Sequence, residues 1–179
     1  MSDTEKPSAK ENPMRDIRID KVVLNIGVGE AGEKLSRAQK VIELLTMKNS
    51  TQTISTFTNK DLGIREGMPI GCKITLRNDE APEFLKKAFW VKENKIMNYS
   101  FDREGNFSFG ISDYTDFKGM KYSPDIGIFG LDISVVLTRA GKRVKLRKRS
   151  PGKIPHSHRI VRTEAMKWVA KTFDVEVLE

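Results

Sequence analysis

Ten lysine and arginine side chains fall between Ile133 and Thr163 without one Asp or Glu among them. They are Arg139, Lys142, Arg143, Lys145, Arg147, Lys148, Arg149, Lys153, Arg159 and Arg162. The chain carries 32 basic and 24 acidic residues, a formal +8, yet outside this stretch 22 basic residues face 24 acidic ones. The positive charge is therefore local, and a surface of one sign is suited to a partner of the other: phosphate backbones or anionic lipid. Gly141, Pro151, Gly152 and Pro155 interrupt the run, so it reads as an extended loop. That disfavours an amphipathic membrane helix.

A second pattern points to a different chemistry. Gly27-Val28-Gly29-Glu30-Ala31-Gly32 matches G-x-G-x-x-G between a predicted strand and a predicted helix, the context of a dinucleotide fingerprint. A nucleotide fold also needs an acidic residue at the end of a second parallel strand, roughly 20 residues on. The segment there is Thr51-Gln52-Thr53-Ile54-Ser55-Thr56, and Asp61 comes later in a loop. A dinucleotide-dependent enzyme is thus the weaker alternative, and the glycines are expected to turn the chain from strand into helix. His156 and His158 lack a third ligand nearby and read as surface histidines. Asp113, Asp116 and Asp125 lack the spacing of a calcium loop. The single cysteine, Cys72, excludes an intrachain disulfide, reads as a packing residue, and points to a soluble, reducing compartment. No metal, cofactor or small-molecule substrate is implied, and no window is apolar enough to span a membrane.

The elements that must position these residues follow from periodicity. Met1 to Met14 is predicted disordered, without the apolar core of a signal peptide. Ile19 to Val28 reads as a strand, and Glu33 to Met47 as a helix with Leu35, Ala38, Val41, Ile42 and Leu45 on one face. Thr51 to Thr58 has strand composition, Asn59 to Pro69 reads as a loop, and Ile70 to Arg77 as a strand forming a hairpin with it. Along that strand Lys73, Thr75 and Arg77 share one face and Cys72, Ile74 and Leu76 the other. Helices are expected over Glu80 to Val91 and Thr163 to Phe173, with Thr163 as N-cap. Strands are expected over Asn106 to Ile111 and Ile128 to Thr138, with Asp174 to Leu178 as an edge strand. Trp90 and Trp168 are expected in the core or at its rim. The order β-α-β-β-α-β-β-α, without repeats, predicts a single α+β domain over residues 15–179. Its sheet is mainly antiparallel, helices pack on one face, and the basic arm covers residues 139–162. The other sheet face is left free to meet a ligand.

Four segments then resemble the large-subunit ribosomal protein L5 family, in that family's order. They are Val23 to Glu30 (VLNIGVGE), Gly63 to Arg77 (GIREGMPIGCKITLR), Gly105 to Gly110 (GNFSFG) and Tyr122 to Asp132 (YSPDIGIFGLD). Within the last of these, Ile126 to Leu131, together with the basic extension, resembles the archaeal and eukaryotic branch. The resemblance implies a non-enzymatic, cytoplasmic, ribosome-bound protein of the central protuberance. It would bind 5S rRNA, help attach it to the large-subunit rRNA, approach P-site tRNA, and meet neighbouring ribosomal proteins, including a small-subunit bridge partner.

Carried over residue by residue, the rRNA-binding set is Asn25, Lys73, Thr75 and Arg77, with Arg139, Lys142, Arg143, Lys145, Arg147, Lys148 and Arg149 of the arm. The tRNA-contacting loop would use Lys60, Gly63, Arg65 and Gly67. The chain departs from the family's pattern where a small basic cluster precedes that loop: here stand Ile54, Ser55, Thr56 and Phe57. Lys60 is a partial compensation. A generic RNA-binding module would share the charge but not a preference for 5S rRNA. Neutralising six to ten phosphates would lower affinity by about 10³–10⁵ between 50 and 200 mM salt.

Overall fold

The structure is a computed structural model that describes residues 12–178. Most of the expected disordered tail lies outside the described residues, while Pro13–Arg15 forms one 3-10 turn capped by the Asn12 side chain.

The centre of the fold is β1 (Ile17–Gly27). Its Val22, Leu24 and Ile26 alternate into the interior at 0–1% exposure. Full burial of each such side chain contributes about 1.5–3 kcal/mol, so the register of this strand is strongly specified. After it come α1 (Glu33–Thr46), β2 (Thr51–Ile54), β3 (Pro69–Leu76), α2 (Glu80–Val91) and β4 (Lys95–Met97). Then follow β5 (Phe107–Ile111), β6 (Leu131–Arg139), the single turn α3 (Arg143–Leu146), α4 (Arg162–Phe173) and β7 (Glu176–Leu178).

Five strands form one antiparallel sheet in the order β2-β3-β1-β6-β5. The predicted α+β class, with helices backing one face, is what the structure has. The apolar faces of α1 and α2 contribute the ten buried residues their periodicity predicts, Leu35 to Leu45 and Ala81 to Phe89. Phe89 is an aromatic hub on that side. Its ring centroid lies 5.5 Å from Phe109, 6.2 Å from Phe107 and 5.1 Å edge-on from Phe173 of α4.

Several expectations are corrected. Both neighbours of β1 run antiparallel to it, so Gly27 to Gly32 cannot belong to a parallel dinucleotide unit, and the nucleotide-enzyme alternative falls. Gly29 and Gly32 have φ +76° and +113°, which makes them turn glycines. The strand expected over Thr51 to Thr58 stops at Ile54, where the register with β3 shifts. Its partner there is Pro69, which has no N–H to continue the ladder. The expected edge strand at Asp174 to Leu178 does not join the main sheet: β7 pairs in parallel with β4, a strand not foreseen, as a separate two-stranded sheet. Thr163 is not the cap of α4; Val161 holds that position, and the Glu164 carboxylate accepts its backbone N–H at 3.3 Å. Trp90 is 57% exposed, not in the core. Trp168 is half-buried and edge-on to Phe173.

Candidate nucleic-acid interface

The sheet face opposite the helices is lined by the odd-numbered residues of β3 and, beyond the bulge at Asp20, of β1 from Lys21 onward. Lys73, Thr75 and Arg77 are exposed on it and Asn25 is half-buried. Cross-strand register turns this list into rows. Thr51 stands opposite Lys73, Lys73 opposite Asn25, Asn25 opposite Asp132, and Asp132 opposite Gly110. One residue pair along, Thr75, Val23, Ser134 and Ser108 form a second row. Neighbouring strands are ~4.8 Å apart and same-face residues along a strand ~6.8 Å apart. The face is therefore a fine grid of short side chains, polar except for Val23 and Gly110, with two long cations at its β3 side. Such a surface lets a sugar–phosphate backbone come close and offers hydroxyl, amide and cationic donors to phosphates and 2′-hydroxyls.

Two acids on this face were missed by sequence reasoning. Asp132 lies in the middle of the first row; strand alternation could have found it, since Asp132 has the opposite parity to the buried Ile133. Asp20 could not have been found that way. It is the extra residue of a bulge, where Ile19 pairs with Leu137 and Lys21 with Val136. Its carboxylate sits 2.8 Å from Lys142 Nζ and 3.7 Å from Arg77 Nη1. Asp20 thus tethers the base of the basic arm to the sheet and partly neutralises two of the predicted RNA contacts.

The loop between β2 and β3 prolongs their hairpin as a hydrogen-bonded finger. Ser55 N–H donates to the Met68 carbonyl at 2.9 Å and Gly67 N–H to the Ser55 carbonyl at 2.9 Å. Asn59 and Ile64 exchange backbone bonds of 2.8 and 2.9 Å around a tight tip. Gly63 (φ +66°) and Gly67 (φ +80°) supply its left-handed turns. Lys60 and Arg65 are exposed on the finger. So are Ile54, Phe57 and Leu62, each more than 60% exposed, which gives the finger an apolar character where a basic cluster was expected.

The basic arm is folded back on itself and clamped at its base. Gly152 N–H donates to the Val144 carbonyl at 3.0 Å, and Arg147 Nε to the Ser150 carbonyl at 2.7 Å. Its exit is tied to its entry: His158 Nε2 lies 2.9 Å from the Ala140 carbonyl. A carbonyl only accepts, so this bond needs the proton on Nε2; His158 is half-buried and fastens the arm. Arg139 does more. Its side chain is only 10% exposed, and its guanidinium reaches the carbonyls of His158 and Arg159 at 3.3 Å and Glu164 Oε2 at 3.1 Å. Arg139 is therefore turned inward and occupied, contrary to its expected place among the RNA contacts. Arg162 is likewise half-buried, on the Asn98 carbonyl. Arg143, Lys145, Arg147, Lys148, Arg149 and Lys153 remain exposed at the outer part of the arm.

Cys72, on the helix-facing side of β3, is fully buried in the core, and burial pushes its thiol up to about 11. It has the character of a packing residue, not of an activated thiol.

An antiparallel sheet with one bare polar face and a cationic arm clamped to its end defines a class of nucleic-acid-facing α+β protein. Comparison with known proteins agrees. The "Ribosomal protein L5" family model matches residues 12–65, and the model of the family's C-terminus matches residues 69–168. The chain is 54% identical over 168 residues to the large ribosomal subunit protein uL5 of Thermoplasma volcanium, covering 93% of this chain and 99% of that protein. It is 54% identical to the protein of the same name in Picrophilus torridus over 94% of this chain and 96% of that one. It is 44% identical to that of Sulfurisphaera tokodaii over 94% and 95%. The chain belongs to the ribosomal protein L5 family. It is accordingly a ribosome-bound structural protein of the large subunit and of translation, not an enzyme.

Proposed function

We propose that the chain binds 5S rRNA through the bare sheet face and helps attach it to the large-subunit rRNA in the central protuberance. The observation that carries this is the cross-strand patch of Asn25, Lys73, Thr75 and Arg77 on a face that the helices leave open. Short polar side chains position the backbone, and the two cations supply charge-assisted bonds to phosphate. Arg143, Lys145, Arg147, Lys148 and Arg149 add sequence-independent phosphate contacts from the arm, with Lys142 at its root. Arg139 acts by holding the arm in place. The β2–β3 finger, with Lys60, Gly63, Arg65 and Gly67, is assigned the approach to P-site tRNA, and the surrounding surface a bridge to the small subunit. Those two assignments rest on the family resemblance.

The test is binding of the full chain to labelled 5S rRNA across a salt series, with excess tRNA as competitor. Resistance to the competitor, lost on joint Thr75→Ala and Arg77→Ala substitution, supports the sheet-face site. Binding that tRNA abolishes in the wild-type protein would instead identify a generic RNA-binding arm.

A further inference from the structure

The half of the bare face away from Lys73 and Arg77 has a different chemistry. Here the sheet floor meets the turn after β4 in an open groove of about 880 Å³, within the range of ligand-sized clefts. Its floor is made by Asn25, Asp132, Ser134, Ser108 and the bare backbone of Gly110. Tyr99 stands at the wall with 80% of its surface exposed, and Lys92 and Lys95 stand at the rim. Lys95 also pairs with Glu93 at 3.2 Å. The Asp132 carboxylate leans over Gly110: a Cβ there would lie 3.3 Å from Asp132 Oδ1. Among the described residues no ion pair or hydrogen bond engages that carboxylate.

A carboxylate on the floor of an RNA-facing groove repels phosphate. It accepts hydrogen bonds from an amino group, as acids do from the exocyclic amine of cytosine. The Asn25 amide beside it can both donate and accept. An exposed tyrosine ring offers a stacking platform that accepts any base. Lysines at the rim suit a backbone kept outside while the base points inward. We propose that this groove seats one unstacked nucleobase bearing an exocyclic amino group, stacked on Tyr99 and read by Asp132 and Asn25. The proposal rests on the RNA-binding function above and divides the face in two. The β3 side holds backbone, and the β5–β6 side reads a base.

The test uses the full chain and the single-stranded hexamers rC6, rA6 and rU6, titrated at low salt. Uracil has no amino group, so rC6 and rA6 should bind several-fold tighter than rU6. Tyr99→Ala should weaken all three by about tenfold, within the roughly 1–3 kcal/mol that a stacked base contributes, and Tyr99→Phe should restore them. Asp132→Asn should erase the preference over rU6, because an amide offers a donor as well as an acceptor. Tyr99 is mostly exposed, so its variants keep the wild-type melting temperature. Unchanged affinities in Tyr99→Ala, or a preference surviving Asp132→Asn, would overturn the groove. The 5S rRNA assay is read separately. Loss of 5S rRNA binding in the Thr75 and Arg77 variants, with hexamers unaffected by Tyr99→Ala, keeps the sheet-face function and sinks the groove. The hexamer pattern without any 5S rRNA binding keeps the groove and removes the 5S assignment.

Discussion

Replacing Arg139 with alanine separates an arm clamp from an RNA contact. One guanidinium nitrogen is shared between the His158 and Arg159 carbonyls at 3.3 Å, and the other meets Glu164 at 3.1 Å. The shared bond has a charged donor and counts once, at about 1.5–3 kcal/mol. Glu164 is 47% exposed, so the ion pair adds only about 0–1 kcal/mol. Arg139→Ala should therefore cost about 1.5–4 kcal/mol in urea denaturation. Arg139→Lys should lose most of the same amount, because an ammonium keeps the charge but not the fork. The comparison is Lys148→Ala, an exposed arm residue. It should leave stability within about 0.5 kcal/mol while lowering the salt slope of RNA binding by roughly 0.7–0.9, one phosphate's worth. Under conditions where both variants are folded, Arg139→Ala should leave the slope where it was. An Arg139→Ala protein as stable as wild type, with its slope reduced by about one, would refute the clamp and return Arg139 to the phosphate contacts.

Other perturbations test neighbouring parts of the argument. Gly105 has φ +78°, and a Cβ there would lie 2.6 Å from Ile160 Cγ2 and 3.1 Å from the Ala165 methyl; Gly105→Ala should cost about 2–4 kcal/mol by overpacking and strain, read as a lowered denaturation midpoint. Asp20→Asn removes the carboxylate beside Lys142 and Arg77. It should raise 5S rRNA affinity by about 1.4- to 5-fold at 50 mM salt, with less gain at 200 mM; a filter-binding titration showing weaker binding would mean that its tethering outweighs its masking. Burial raises the Cys72 thiol from 9.0 to about 11. The neutral form is thus favoured in the folded state, so this contribution to stability is full below pH 9 and is lost as pH rises towards 11. A denaturation series over that range in wild type and Cys72→Ala should show the additional alkaline loss in wild type alone.

Much of the fold was legible because it is local. The 3.6-residue repeat of Ala81, Phe84, Leu85, Ala88 and Phe89 defines α2 over Glu80–Val91, the span found. The two-residue repeat of Lys73, Thr75 and Arg77 placed them together on one face, as it does whichever strands flank them. Periodicity reports which residues share a face, and nothing more than chain geometry is needed for that. The same reasoning misplaced Trp90, which lies next to the apolar stripe of α2 yet is 57% exposed.

What lies across from a residue is a different matter. Asp132 joins Asn25 and Lys73 in one row only because β1 sits between β3 and β6. That pairing joins residues more than 100 positions apart. Asp20 reaches Lys142 and Arg77 because a bulge in β1 turns it to the open face. The composition of the arm declared ten cations without saying which face outward; Arg139 points inward because the two ends of the arm close on it and leave carbonyls needing donors. By itself the sequence determined the charge, the periodic faces and the family likeness, since each is a property of neighbours along the chain. Tertiary structure decided which charges are free, which are spent on the fold, and where an acid interrupts the basic face. Those depend on burial and on partners that only strand order and chain closure bring together.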